Sequence, residues 1–102
     1  MLHLNNMDSL IEKIEQWSKD RNLDKADSAK QMLKVMEEVG EVASALAKGN
    51  LDELEDGIGD VIVTLIILAQ QNNLTLQHCT FSAYQQIANR TGKTVNGIFI
   101  KD

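Results

Sequence analysis

From Val61 to Asn89 the chain carries no Asp, Glu, Lys or Arg, and the first part of that stretch is apolar on every side of a helix. Val61, Ile62, Val63, Leu65, Ile66, Ile67 and Leu68 would cover all faces, so one neighbouring helix leaves some of them in water. A helix of that kind lies in the middle of something. The run from Val61 to Ala69, broken by Thr64, is far too short for a bilayer, which needs about 20 apolar residues. Burial against protein is the remaining solution. With 102 residues the chain has enough for one core, yet is small enough to gain from association. The expectation is a second copy, as a homodimer or a dimer of dimers, with this helix near the interface.

Apolar spacing marks four helices. The first runs from about Asp8 to Asp20, with Leu10, Ile11, Ile14 and Trp17 on one stripe and Ser9 and Glu12 as a capping box. The second runs from about Asp27 to Lys48, with Met32, Val35, Met36, Val39, Val42, Ala43 and Leu46 inward and Gly49 as its stop. The third starts near Leu51, capped by Asn50 with Glu53 at the third helical position, and reaches about Gln71. The fourth spans about Thr75 to Asn89 and carries Cys79, Tyr84, Ile87 and Ala88. In the tail, TVNGIFI sets Asn-Gly between β-branched residues, the strongest short hairpin signal, although a lone two-stranded ribbon is marginal. The reading is all-α: one domain over residues 1–102, a four-helix bundle-like protomer completed by oligomerisation, with a short C-terminal β-hairpin or extended tail.

A net charge of −5 offers no basic surface for phosphates of duplex nucleic acid. The start, MLHLNNMD, has neither the cationic segment nor the apolar run of a secretory signal. The single cysteine, Cys79, has no internal disulfide partner, which fits a reducing cytoplasm. Among apolar neighbours it reads as a buried structural thiol. His3 and His78 read as ordinary residues. A soluble cytoplasmic protein is expected, with no nucleic acid and no membrane among its partners.

Two acidic clusters stand out against this background. Glu38 and Glu41 are three residues apart, and Asp56 and Asp60 four, so each pair shares one helix face. Glu-rich helix faces are commonly just solvated, and acids in a first turn favour the macrodipole. Glu53 and Asp52 fit that description, and Glu37 pairs with Lys34 or simply faces water. Three details favour convergence. Glu38 and Glu41 border the apolar stripe of their helix. Asp60 directly precedes the apolar run, a costly place for an unpartnered carboxylate. Gly40, Gly57 and Gly59 each cost a helix about 1 kcal/mol, which suggests close backbone approach or room for a ligand.

If the two helices pack antiparallel, up to four carboxylates meet, and a hard divalent cation offsets their repulsion. Oxygen ligands without His or Cys suit Mg²⁺, or Mn²⁺, rather than Zn²⁺. Such a cation orients a polyphosphate and acidifies an attacking water, whose proton a spare carboxylate accepts. There is no glycine-rich phosphate loop and no Walker lysine. Phosphate contacts then fall to Lys34, Arg90, Lys93 and Lys101.

The run QMLKVMEEVGEVASAL, followed by DGIGDVIVTLIILA and a tail of the form RxGxxxNGxFxK, resembles the MazG-like all-α nucleoside triphosphate pyrophosphohydrolases. Those proteins carry EExxE on one helix and ExxD on the next. They hydrolyse a nucleoside triphosphate, often non-standard or deoxy, to the monophosphate and pyrophosphate with Mg²⁺. The resemblance, over about Ile14 to Lys101, implies that Glu38 and Glu41 are metal ligands with Glu37 supporting or joining them. It makes Glu37, Glu38 and Glu41 the catalytic cluster. Asp60 matches the family's aspartate. Three residues before it, where glutamate is usual, this chain has Gly57, and Asp56 is taken as the substitute fourth ligand. A second register pairs Glu53 with Asp56 and leaves Asp60 as a further ligand. Trp17 reads as core or as a base-stacking wall, with core preferred. Lys34 falls in a family-like Q-x-x-K and touches phosphate or pairs with Glu38. Arg90 and Lys93 are candidate phosphate contacts from the chain itself or from a neighbouring subunit. Two other readings stand open: a phosphoribosyl-ATP pyrophosphatase-like relative, and a non-catalytic helical oligomer or regulatory partner with a weak metal site.

Overall fold

The computed structural model describes residues 6–102, so His3 lies outside the described residues. Four helices and a terminal hairpin follow in order: α1 (Met7–Lys19), a short 3₁₀ turn (Leu23–Lys25), α2 (Ser28–Lys48), α3 (Leu51–Gln71), α4 (Leu76–Ala88), β1 (Gly92–Val95) and β2 (Ile98–Lys101). Each α-helix begins at a side-chain cap that accepts one of its orphan backbone N–H groups. Asn6 accepts from Ser9 N, Asp27 from Ala29 N, Asn50 from Glu53 N and Thr75 from His78 N. The cap of α1 is therefore Asn6 rather than the expected Ser9. Asn6 stands three residues before Ser9, so Ser9 becomes the donor of the capping bond instead of its acceptor.

The link between α2 and α3 decides where the acidic residues go. Gly49 takes the left-handed conformation at φ 69° and ψ 24°, and its N–H bonds back to the carbonyls of Ala45 and Leu46. That closes α2, and Asn50 opens α3 at once, so the two 21-residue helices pack side by side as an antiparallel hairpin. Gln31 Nε2 donates to Thr64 O across this hairpin at 3.0 Å. Thr64 Oγ1 in turn donates to Val61 O, which lets a hydroxyl sit buried in the apolar run.

α3 is the central helix, touching α1, the 3₁₀ turn, α2 and α4. Every residue from Val61 to Gln71 is buried or half-buried. Its polar C-terminal end fastens the surrounding pieces. Gln70 Nε2 donates to Glu15 O of α1, Gln71 Nε2 to Leu23 O of the 3₁₀ turn, and Asn72 Nδ2 to Ser28 Oγ at the start of α2. The apolar core comprises Ile11, Val35, Ala45, Ile66, Ile67 and Ala69. The all-round apolar helix is thus covered largely by its own chain.

The exposed apolar surface lies elsewhere, and here several expectations need correcting. On α2 the buried line is Val35, Glu38 and Ala45, which face α3, while Met32, Met36, Val39, Ala43 and Leu46 are exposed. One neighbouring helix covers a narrower stripe than α2 presents. Cys79 is exposed rather than a buried thiol, because α4 has no buried residue at all. Trp17 is not core: it is half-exposed on α1 while its neighbour Ser18 is fully buried.

The tail forms the expected hairpin, with Gly92 opposite Lys101, Lys93 opposite Ile100, Thr94 opposite Phe99 and Val95 opposite Ile98. Asn96 (φ 51°) and Gly97 (φ 79°) are both left-handed, the primed turn that Asn-Gly favours. Among the described residues no helix is long and apolar enough to cross a membrane.

Candidate active site

The antiparallel hairpin of α2 and α3 brings residues from both acidic clusters to one cavity of about 350 Å³, lined by Glu41, Ser44 and Lys48 of α2 and by Glu53, Asp56, Gly57 and Asp60 of α3. Glu41, Asp56 and Asp60 are exposed and face this open space. Glu38 sits one turn earlier on α2, at 8% exposure. Its Oε1 lies 3.5 Å from Lys34 Nζ, and its Oε2 is buried with no hydrogen-bond partner among the described residues.

Electrostatics follow from that crowding. The Glu38 carboxylate beside Glu41, through a shared hydrogen bond and through its charge, holds the Glu41 carboxyl above its ordinary range; desolvation and Glu37 add to this, and Lys34 opposes it. Lys34 is raised chiefly by its hydrogen bond to Glu37, with that carboxylate's charge and Glu38 adding to it. Lys34 Nζ donates to Glu37 Oε2 at 3.3 Å, and Glu37 is otherwise solvated, with its side chain 56% exposed. Glu37 is thereby drawn toward the lysine on its own helix rather than into the cavity.

Among the described residues no three acidic, histidine or cysteine side chains are gathered tightly enough to hold a metal as they stand. The hairpin brings Glu41, Asp56 and Asp60 to one cavity, with Glu38 one turn away, without closing them around a single point. Two physical reasons are visible. Glu38 leans on Lys34, and like charges separate wherever solvent is within reach. The donor chemistry still suits a hard cation: oxygen ligands only, and a buried carboxylate oxygen that lacks a donor.

Gly57 is buried against α2. A Cβ placed there would lie 3.0 Å from Val42 Cγ2 of α2. Close backbone approach or room for a ligand was the expected meaning of the glycines, and Gly57 shows the first. Gly40 and Gly59 instead face open space.

The remaining candidates lie apart from the cavity. Trp17 carries Arg21 over its ring at 4.1 Å, and Arg21 Nη1 donates to Trp17 O. Arg90 follows α4 and Lys93 lies on β1, both exposed; neither borders the cavity of its own chain. Sequence reasoning passed over Ser44 and Lys48. Their signal was spacing, since Glu41, Ser44 and Lys48 recur at three and seven residues along one face of α2.

A central apolar helix, an antiparallel partner and a carboxylate-lined cavity between them define an all-α protein with an acidic site on a helical hairpin. Comparison with known proteins makes the class specific: the MazG nucleotide pyrophosphohydrolase domain matches residues 27–94, and the chain belongs to that family. The matched span contains both acidic clusters and Lys48. A protein of Haemophilus phage HP1 (strain HP1c1), described as an uncharacterized 18.2 kDa protein in the rep-hol intergenic region, is 46% identical over 69 residues. That alignment takes in 67% of this chain and 42% of the phage protein, so the chain spans less than half of that relative's length. No solved structure matches the chain.

Proposed function

We propose that the protein is a Mg²⁺-dependent nucleoside triphosphate pyrophosphohydrolase that converts a (d)NTP to the (d)NMP and pyrophosphate, clearing non-standard nucleotides. The observation that carries this reading is the α2–α3 cavity with Glu41, Asp56 and Asp60 on its walls and Glu38 buried beside it, within a MazG domain. Glu38, Glu41, Asp56 and Asp60 are the residues to hold the cation, with Mn²⁺ an acceptable substitute for Mg²⁺. When bound, the cation neutralises polyphosphate oxygens and acidifies the attacking water.

The water oxygen joins the α phosphorus, the bond from that phosphorus to the bridging oxygen breaks, and pyrophosphate leaves. The water's proton passes to whichever carboxylate of Glu37, Glu38 and Glu41 is free of the metal. A homodimer or dimer of dimers in a cytoplasmic setting completes the proposal.

Pyrophosphate release from a panel of standard, deoxy and modified nucleoside triphosphates and phosphoribosyl-ATP, with and without Mg²⁺, tests it. Turnover that vanishes with chelator is the expected result, and no turnover on any nucleotide would sink it. Glu41→Gln and Asp60→Asn should each lose activity by at least about a hundredfold while keeping the helical circular dichroism of the wild type.

A further inference from the structure

Asp56 and Asp60 form a ridge between two unlike cavities. On one side lies the cavity with Ser44 and Lys48. On the other lies a cavity of about 420 Å³ between α1 and α3, walled mainly by apolar side chains of Leu10, Ile11, Ile14, Ile62 and Val63, with Glu55 beside the ridge and no cation in its lining. A nucleoside triphosphate has the same asymmetry, an uncharged ring system at one end and a polyanion at the other. Resting on the function proposed above, we infer that Lys48 holds the distal phosphates of the substrate, the part that leaves as pyrophosphate, while the nucleoside points toward the α1–α3 side.

Three observations support Lys48. It borders the acidic cavity, whereas Arg90 and Lys93 do not. Lys34, the other cation on α2 near the acids, is already shared between Glu37 and Glu38. Lys48 by contrast has only a loose partner, Glu53 Oε2 at 3.9 Å, and both side chains are more than half exposed. An exposed pair of that kind contributes little, so Lys48 exchanges Glu53 for a phosphate at small cost. Its Cα lies roughly 10 Å along the helix from that of Glu41, a span that a flexible lysine stem shortens to the length of a triphosphate. Ser44, between them on the same face, supplies a hydroxyl donor along that path.

The test reads binding as well as turnover. Inorganic pyrophosphate with Mg²⁺ is titrated calorimetrically into wild type, Lys48→Ala, Lys48→Arg and Lys30→Ala, and kcat and KM are measured on the best nucleotide. Lys48→Ala is expected to weaken pyrophosphate binding about tenfold or more, the scale of one lost charge-assisted hydrogen bond. Lys48→Arg should recover most of it, and Lys30→Ala, remote from the cavity on α2, should behave as wild type. In kinetics the loss should appear in both KM and kcat, since charge builds on the leaving pyrophosphate. Wild-type affinity in Lys48→Ala overturns the inference while leaving the hydrolase reading intact. Pyrophosphate binding that depends on Lys48 in a protein with no turnover keeps the inference and removes the hydrolase. A wild type that binds no pyrophosphate overturns the inference outright.

Discussion

Gly57 stands where the MazG-like pattern was expected to place a glutamate, three residues before Asp60, and a larger side chain there requires Val42 to give way. An added Cβ would lie 3.0 Å from Val42 Cγ2 and 3.6 Å from Val42 Cα, so α2 stands where the side chain must begin. Gly57→Glu is expected to destabilise the protein by about 1–3 kcal/mol through overpacking, which exceeds the helix-propensity gain of about 1 kcal/mol. Val42→Ala removes the obstructing methyl, so Gly57→Glu in that background should cost clearly less than the two single changes summed. Thermal melts over the double-mutant cycle measure this, and simple additivity would refute the steric account. The double variant should also bind Mg²⁺ more tightly, as a carboxylate enters beside Glu38 and Glu41.

Glu41 gives a second prediction at the same scale. Its carboxyl is held above the ordinary 4.5, mainly by Glu38. The folded state thus favours the protonated form, and the associated stability is fully present below that value and lost as pH rises through the folded one. Metal-free wild type should lose melting temperature relative to Glu41→Gln as pH rises above about 4.5, the slope being absent in the variant. A parallel pH profile for the two proteins would refute the coupling.

At the scale of elements, what was legible in the sequence was whatever local chemistry dictates. Asn50 and Gly49 carry the α2–α3 turn in their own side chain and backbone preferences, and that turn alone sets the two acidic clusters against each other. Asn96-Gly97 carries the hairpin in the same way. The uncharged run after Asp60 identified the central helix. What periodicity could not supply was how far each neighbour reaches. The stripe on α2 was phased correctly for Val35 and Val42, but Met32, Met36, Val39 and Leu46 lie on flanks that α3 does not cover. Trp17 shares a stripe with Ile11 and Ile14 yet falls past the edge of α3, where Arg21 covers it instead. Glu38 and Glu41 fall on α2 and Asp56 and Asp60 on α3, and three of the four line one cavity. How closely they approach depends on three-dimensional neighbours such as Lys34, which pairs with Glu38. Lys48 went unused because its charge reads as an ordinary helix C-terminal lysine until the cavity is seen.

At the scale of the whole molecule, the chain is less compact than its length requires. Its radius of gyration is 15.9 Å, against about 13 Å for a compact domain of 100 residues. The C-terminal arm is the least covered part of the described residues. No residue of α4 is fully buried, and Phe81, Tyr84 and Ile87 are each more than half exposed; the hairpin adds Ile98, Phe99 and Ile100. A two-stranded ribbon with so little cover is marginal on its own, and a second copy of the chain is the simplest surface to cover it. Arg90 and Lys93 sit on that arm, at the junction of α4 and the hairpin, away from the acidic cavity of their own chain. If the arm lies on a partner, these cations serve the partner's site. Co-expression of Asp60→Asn and Arg90→Ala chains under different tags, with tandem purification, isolates mixed oligomers. Should Arg90 act across subunits, each mixed dimer holds one site with intact carboxylates from one chain and an intact arginine from the other, giving about half the wild-type rate. Should it act within its own chain, every site lacks one of the two groups and the mixed species is as inactive as its parents. Near-zero activity in a mixed dimer, or a chain that sediments as a monomer at micromolar concentration, would refute the arm-exchange arrangement.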